Sequence, residues 1–337
     1  MSLARKLARG LRRYMLLLTI VTALAAVMVG SLAPVVAKIP PSIFKCSVMV
    51  LAAATILPSM ILLRGERLEP ASRQFKHVLA VILYAYALSP LLAYLLSALI
   101  SSPDIKLGFL VANTVPASAA SIGYVMLAGG NLELATASVF VLVALGIALI
   151  PAYLYTYASM MALGVPVAEF LKPVLAVLAV PLLVGQLVRR YLISRRGSSF
   201  IDGELKPYLS AATVLMMLTL IFILISRKAA LIVRRPYTTL EIVEAYSAMV
   251  LITILVGLVV SRSLKIMYRE HQAIMFLTIT KNQSVAAAVA ACGFSPAVAL
   301  APALIPTIQP ILAIAYLHAE KIIKSLLVPQ DALQKTA

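Results

Sequence analysis

The sequence predicts an all-α polytopic membrane protein, with ten transmembrane helices in two inverted five-helix repeats and two discontinuous crossing helices. Three observations lead there. Of the 337 residues, 62% are hydrophobic and only 12% charged, far from the balance of a soluble domain. Apolar stretches of about 18 residues or more recur along the chain, each long enough to cross about 30 Å of hydrocarbon. Finally, Lys281 is the only charged side chain well inside a span. It sits in a polar knot, Thr280-Lys281-Asn282-Gln283-Ser284, within "HQAIMFLTITKNQSVAAAVAACGF". A charge at bilayer depth costs roughly 2.5 kcal/mol or more and normally faces a polar cavity where it works.

The first apolar stretch starts at Tyr14, behind Arg5, Lys6, Arg9, Arg12 and Arg13. It is too long for a signal peptide and reads as the first membrane helix. Hydropathy with loop punctuation places spans at 14–37, 43–63, 75–100, 105–130, 132–159, 168–192, 207–226, 238–262, 271–293 and 295–319. With the N-terminus inside, 20 of the 29 Lys and Arg lie in cytoplasmic segments and eight outside, so the positive-inside bias puts both termini in the cytoplasm. The Arg227–Arg235 cluster is the one blemish. Residues 1–13 are then a basic cytoplasmic tail, 14–159 the first repeat and 160–206 the start of the second repeat plus a cytoplasmic loop. Residues 168–319 form the second repeat and 320–337 a cytoplasmic C-terminal tail. An odd number of spans per set makes the two halves opposite in orientation. The fourth of each half is interrupted, near Pro116 in one and around Lys281 in the other. Paired interruptions of this kind point to a transporter site at the repeat interface.

The net charge of +17 reads as loop cations facing anionic lipid, not as a nucleic-acid surface. Cys46 and Cys292 lie in apolar segments with no CxxC and no paired His, which implies small buried residues rather than a disulfide or a metal site. His77, His271 and His318 have no acidic partner at motif spacing, and no zinc-binding or aspartate-rich motif occurs, which leaves an intramembrane enzyme only as the alternative of another class and implies no cofactor.

At these positions the chain resembles the bile acid:sodium symporter family and its relatives, the arsenical-resistance efflux permeases. "ALSPLLAYLLSALISSPDIKLGFLVANTVPASAAS" resembles the third and fourth helices, "LAGGNLELA" the lead into helix five, and "TKNQSVAAAVAACGFSPAVALAPALI" the second crossing helix and helix ten. The resemblance implies ten helices in panel and core domains, with two helices crossing in the core of a secondary transporter. It also shows departures. Thr278 stands where sodium-coupled members have a glutamate, the amide pair is reversed as Asn282-Gln283, and Ile122, Ala135, Val139 and Ala85 replace other polar sodium ligands. Sodium coupling in the family manner is therefore not expected, since hard cations want anionic or carbonyl oxygens. Lys281-Asn282-Gln283 is closer to the Arg-Asn-Asn of the arsenical permeases. Yet their cysteine after the first break is Ala117 here and their following glutamate is Val285, which leaves arsenite efflux as the alternative.

From the residues themselves, half-helices starting after Pro116 and after Asn282 would aim free N–H groups into a shared cavity. Lys281 adds a full charge, and no buried carboxylate is expected to oppose it. Such a cavity suits a small organic anion, with Asn113, Thr114, Ser118, Ser121, Asn282, Gln283, Ser284 and Gln309 as hydrogen-bonding candidates. Lys281 is also the candidate for coupling, either as a fixed cation or as a proton carrier, because an ammonium removed from water is destabilised.

Overall fold

The computed structural model describes residues 14–64, 74–162 and 167–327, and all regular structure among them is helical. Proline and glycine set most of the boundaries. Helix α1 is Met15–Leu32 and α2 is Pro41–Leu62. The latter opens on a proline, whose missing N–H would be unpaired at a helix start anyway. Helix α3, Phe75–Leu83, runs through a π turn, Tyr84–Leu88, into α4, Ser89–Leu96. Helices α5 (Pro103–Thr114) and α6 (Ser121–Leu127) are the two parts of the first interrupted segment. Helix α7, Leu132–Met160, is capped by Asn131, whose side chain accepts from Leu134 N–H.

Helices α8 (Val167–Val174), α9 (Val180–Ser199) and α10 (Lys206–Arg234) follow, joined by π turns at Leu175–Ala179 and Phe200–Leu205. A straight run of that length would reach about 100 Å, far beyond one bilayer. Gly197 turns it back with φ 77°, and α9 and α10 both pack against α2. Next come α11 (Pro236–Ser263), then α12 (Tyr268–Ile279) and α13 (Gln283–Gly293) as the second interrupted segment. Helices α14 (Leu300–His318) and α15 (Glu320–Leu327) close the described chain.

Seven helical stretches among the described residues are long and apolar enough to cross a membrane. Helix α1 shows why only lipid suits them. Leu17, Val21, Leu24, Met28 and Leu32 form an apolar row on its uncovered face, while Ala26 and Gly30 are buried. A row of that size facing water would be a liability. The chain is therefore an all-helical, polytopic integral membrane protein.

The interrupted segments lie at the centre. Every residue from His271 to Lys281 is buried. Helix α5 packs on α13 and α14, and α6 packs on α12. The two segments thus touch part to part, each first half against the other's second half. At Gly108 an added Cβ would stand 2.0 Å from Val298 O, so only glycine lets α5 approach the lead into α14.

Several expectations need correction. The cytoplasmic loop read at 192–207 is helical almost throughout, as α9 continues to Ser199 and a π turn leads into α10. Arg189, counted among the cytoplasmic cations, is 1% exposed and donates to Ile61 O. Cys46 is exposed and Cys292 only half-buried, where burial was expected; a lipid-facing position is as apolar as a buried one. The second half of the first break begins at Ser121, five residues after Pro116. Residues 320–327, read as tail, are helical, whereas 1–13, 328–337, Arg67 and Arg73 lie outside the described residues.

Gly108→Ala is expected to lower the melting temperature in detergent, with an overpacking cost of about 1–3 kcal/mol. Gly123→Ala, where an added Cβ meets nothing within 4 Å, is expected to leave it unchanged or raise it slightly. Equal melting temperatures for the two variants would refute the close approach at Gly108.

Candidate functional site

An interrupted helix strands backbone groups, and at membrane depth only protein or a water-filled cavity can satisfy them. Here the two breaks satisfy one another. Ala117 and Lys281 form an antiparallel bridge. Asn282 N–H donates to Pro116 O at 2.9 Å and Ser118 N–H to Thr280 O at 3.0 Å.

Side chains take up the remaining carbonyls. Pro116 has no N–H to offer Ala112 O four residues back, and Gln283 Nε2 donates to that carbonyl at 3.3 Å. Ser89 Oγ donates to Asn113 O at 3.0 Å, and Ser121 Oγ to Thr280 O at 3.0 Å. The Tyr246 hydroxyl lies 2.9 Å from both Ile279 O and Gln309 Oε1. Gln309 pairs with Lys281 as a second backbone would. Its Oε1 accepts from Lys281 N–H at 3.1 Å, and its Nε2 donates to Lys281 O at 3.2 Å.

Lys281 is 1% exposed. Its Nζ donates to Ala85 O at 2.9 Å and stands 5.9 Å from the centre of the Tyr86 ring. Among the described residues it makes no ion pair. Glu270 is buried, which the sequence did not suggest, but it lies eleven residues away on α12, about 16 Å at a helix's rise. Its Oε1 accepts from Asn131 Nδ2 at 3.0 Å.

The structure therefore gathers the sequence candidates around one point. Lys281, Gln283, Gln309, Ser118, Ser121 and Pro116 all join the bridged region directly. Asn282 caps α13, accepting from Val285 N–H at 3.4 Å. Asn113 donates to Phe109 O and Thr114 to Val111 O, each within its own helix. Ser284 lies in the first turn of α13, 7% exposed. Two acceptor atoms, Asn113 Oδ1 and Gln283 Oε1, are buried without a hydrogen-bond donor.

Sequence reasoning missed Ser89, Tyr246 and the π turn at 84–88. For Ser89 a signal existed, since Ser-Pro within a span marks both a spare hydroxyl and a missing N–H. For Tyr246 none did. Thr278, Ala135 and Val139, which replace polar sodium ligands in the resemblance, are fully buried. Thr278 spends its hydroxyl on Ile274 O at 2.8 Å. His271 is enclosed between Ser261 Oγ at 2.7 Å and the Tyr316 hydroxyl at 2.9 Å. The histidine is 0% and the serine 2% exposed.

Buried polar breaks inside an otherwise apolar helical bundle belong to the transporter class of membrane protein. The model of the sodium bile acid symporter family matches residues 48–235, more than half of the chain, and the chain belongs to that family. The match includes the first break and ends before the second. No curated protein matches the chain.

Tyr246→Phe should destabilise the protein by about 1–3 kcal/mol, because it leaves Ile279 O short of its donor. Gln309→Leu should cost more, since it strips both the N–H and the C=O of Lys281. Thermal unfolding in detergent would measure both, beside Tyr237→Phe as a control at a 77% exposed position. Melting temperatures for Tyr246→Phe and Gln309→Leu that match the control would contradict the accounting.

Proposed function

We propose that the chain is a secondary transporter that carries a small organic anion across the cell membrane by alternating access. Ten spans in two inverted five-helix repeats, 14–159 and 168–319, would form it, with both termini cytoplasmic. The observation that carries the reading is a buried lysine at the meeting point of two interrupted helices, held by a carbonyl and not by a carboxylate. A carbonyl solvates the ammonium without cancelling its charge, so the region keeps a positive potential that favours an anion. The N-terminus of α13 adds to that potential. Hydrogen bonds to the anion fall to Lys281, Asn282, Gln283, Ser284, Asn113, Thr114, Ser118, Ser121 and Gln309, with Pro116 fixing the break; Asn113, Thr114, Ser121, Gln283 and Gln309 would have to release the carbonyls they hold in this state. Membrane lipid is the other partner.

Coupling in this reading does not use sodium in the family manner, since Thr278, Ala135 and Val139 offer no spare oxygen. Lys281 supplies the cation and is the candidate proton carrier. No observation favours arsenite, because Ala117 brings no thiol to the break.

Uptake of radiolabelled organic acids into proteoliposomes tests the proposal. Transport is expected to persist when potassium replaces sodium; a steep, saturable sodium requirement would overturn that part. Lys281→Ala should abolish transport, whereas Lys281→Arg should retain substrate binding, because its charge survives. The Arg variant should also lose any pH dependence shown by the wild type, since a guanidinium does not release its proton in the working range. Wild-type pH dependence in that variant would remove Lys281 as the proton carrier.

A further inference from the structure

The turn that receives Lys281 is made by a proline. In an α-helix, the carbonyl of residue 85 would accept from the N–H of residue 89. Here Ser89 N–H goes instead to Tyr84 O, one residue further back, as a π turn requires. The next N–H in the π pattern would come from residue 90, which is Pro90 and has none. Ala85 O is therefore left without a backbone donor, inside the protein. The neighbouring carbonyl of Tyr86 is also out of reach of Pro90, and the Tyr153 hydroxyl donates to it. Tyr86 is in turn fixed by its own hydroxyl, which donates to Leu142 O. A bare carbonyl beside an anchored aromatic ring is a receptor for an N–H-bearing cation. It suits a metal ion poorly, because hard cations need six or more oxygens.

We propose that the Tyr84–Leu88 turn is an ammonium seat, that Lys281 is its covalently tethered ligand, and that a free primary alkylammonium ion takes the seat when the lysine side chain is removed. The proposal rests on the reading that Lys281 supplies the working cation. It concerns the receptor for that charge, so it stands or falls on binding and not on transport.

In Lys281→Ala the deleted atoms, Cγ, Cδ, Cε and Nζ, correspond to n-propylammonium. The test follows the melting temperature of purified Lys281→Ala and wild type while n-propylammonium chloride is titrated at constant ionic strength. A saturable rise of a few degrees is expected in the variant and none in the wild type, whose own side chain fills the seat. Tetramethylammonium (charged without N–H) and 1-propanol (apolar tail without charge) should give no saturable rise. A folded variant that ignores n-propylammonium, or responds equally to tetramethylammonium, overturns the proposal. So does a saturable sodium response as large as that to the amine, which would mark a metal site instead.

A second arm decides the matter if Lys281→Ala does not fold. Pro90→Ala returns an N–H to the turn and lets the carbonyls pair within the helix. Acetylation of Lys281 by acetic anhydride, read by mass spectrometry against the exposed Lys172, should then run several-fold faster than in wild type. An unchanged rate overturns the seat. Because none of these readouts involves uptake, a protein that carries no anion at all would still pass them, and the two failures are distinguishable.

Discussion

Backbone groups that a broken helix strands inside an apolar layer must be paired within the protein, and the centre of this fold is organised by that requirement. Each unpaired group costs several kcal/mol at such depth. The partners come from all around: Ser89 on α4, Tyr246 on α11, Gln283 on α13 and Gln309 on α14. Since the bridge itself joins the two breaks, neither segment can shift alone without stranding groups on the other. The two interrupted segments and the side chains that close them form one mechanical unit.

The features legible in the sequence were those that violate a local rule. Proline inside an apolar span removes an N–H, and lysine at depth is costly wherever it points, so both announce themselves. Tyr246 violates nothing, and Ser89 is marked only indirectly, by the proline that follows it. A serine in a membrane helix can satisfy itself on its own backbone, as Thr253 does with Met249 O, and a tyrosine fits anywhere apolar. Only the three-dimensional approach of another helix's bare carbonyl gives either residue its task. The same blindness explains Cys46. Hydropathy reports that a position avoids water, and lipid and protein interior both satisfy that, so the exposed face of a span cannot be told from the packed one.

Loop cations were harder to read for a different reason. The chain has 29 Lys and Arg against 12 Asp and Glu, and positive-inside counting treats every cation as a solvated charge. Several are nothing of the kind. Arg189 donates to Ile61 O near the end of α2, and Lys45 to Cys292 O near the end of α13. Arg227 donates to Val36 O and Ile39 O, 3.0 Å from each, with its guanidinium 4.1 Å from the Phe44 ring centre. The last belongs to the cluster that stood against the topology. A guanidinium holding two carbonyls serves the packing of α10.

Lys281 follows a habit seen across the fold, in which cations donate to backbone carbonyls. The habit has an electrostatic consequence. A cation paired with a carboxylate makes a neutral unit whose field dies away quickly. One held by a carbonyl keeps its full charge, and the surrounding low dielectric extends its reach. The Lys45 ammonium, which donates to a carbonyl near the end of α13, is only half-buried, and its surroundings screen it. At the break there is far less screening, with Lys281 1% exposed. At the centre, a lysine held by a carbonyl has no carboxylate among the described residues to cancel the charge of its ammonium form. Pro90 and the π turn free the carbonyl that holds it.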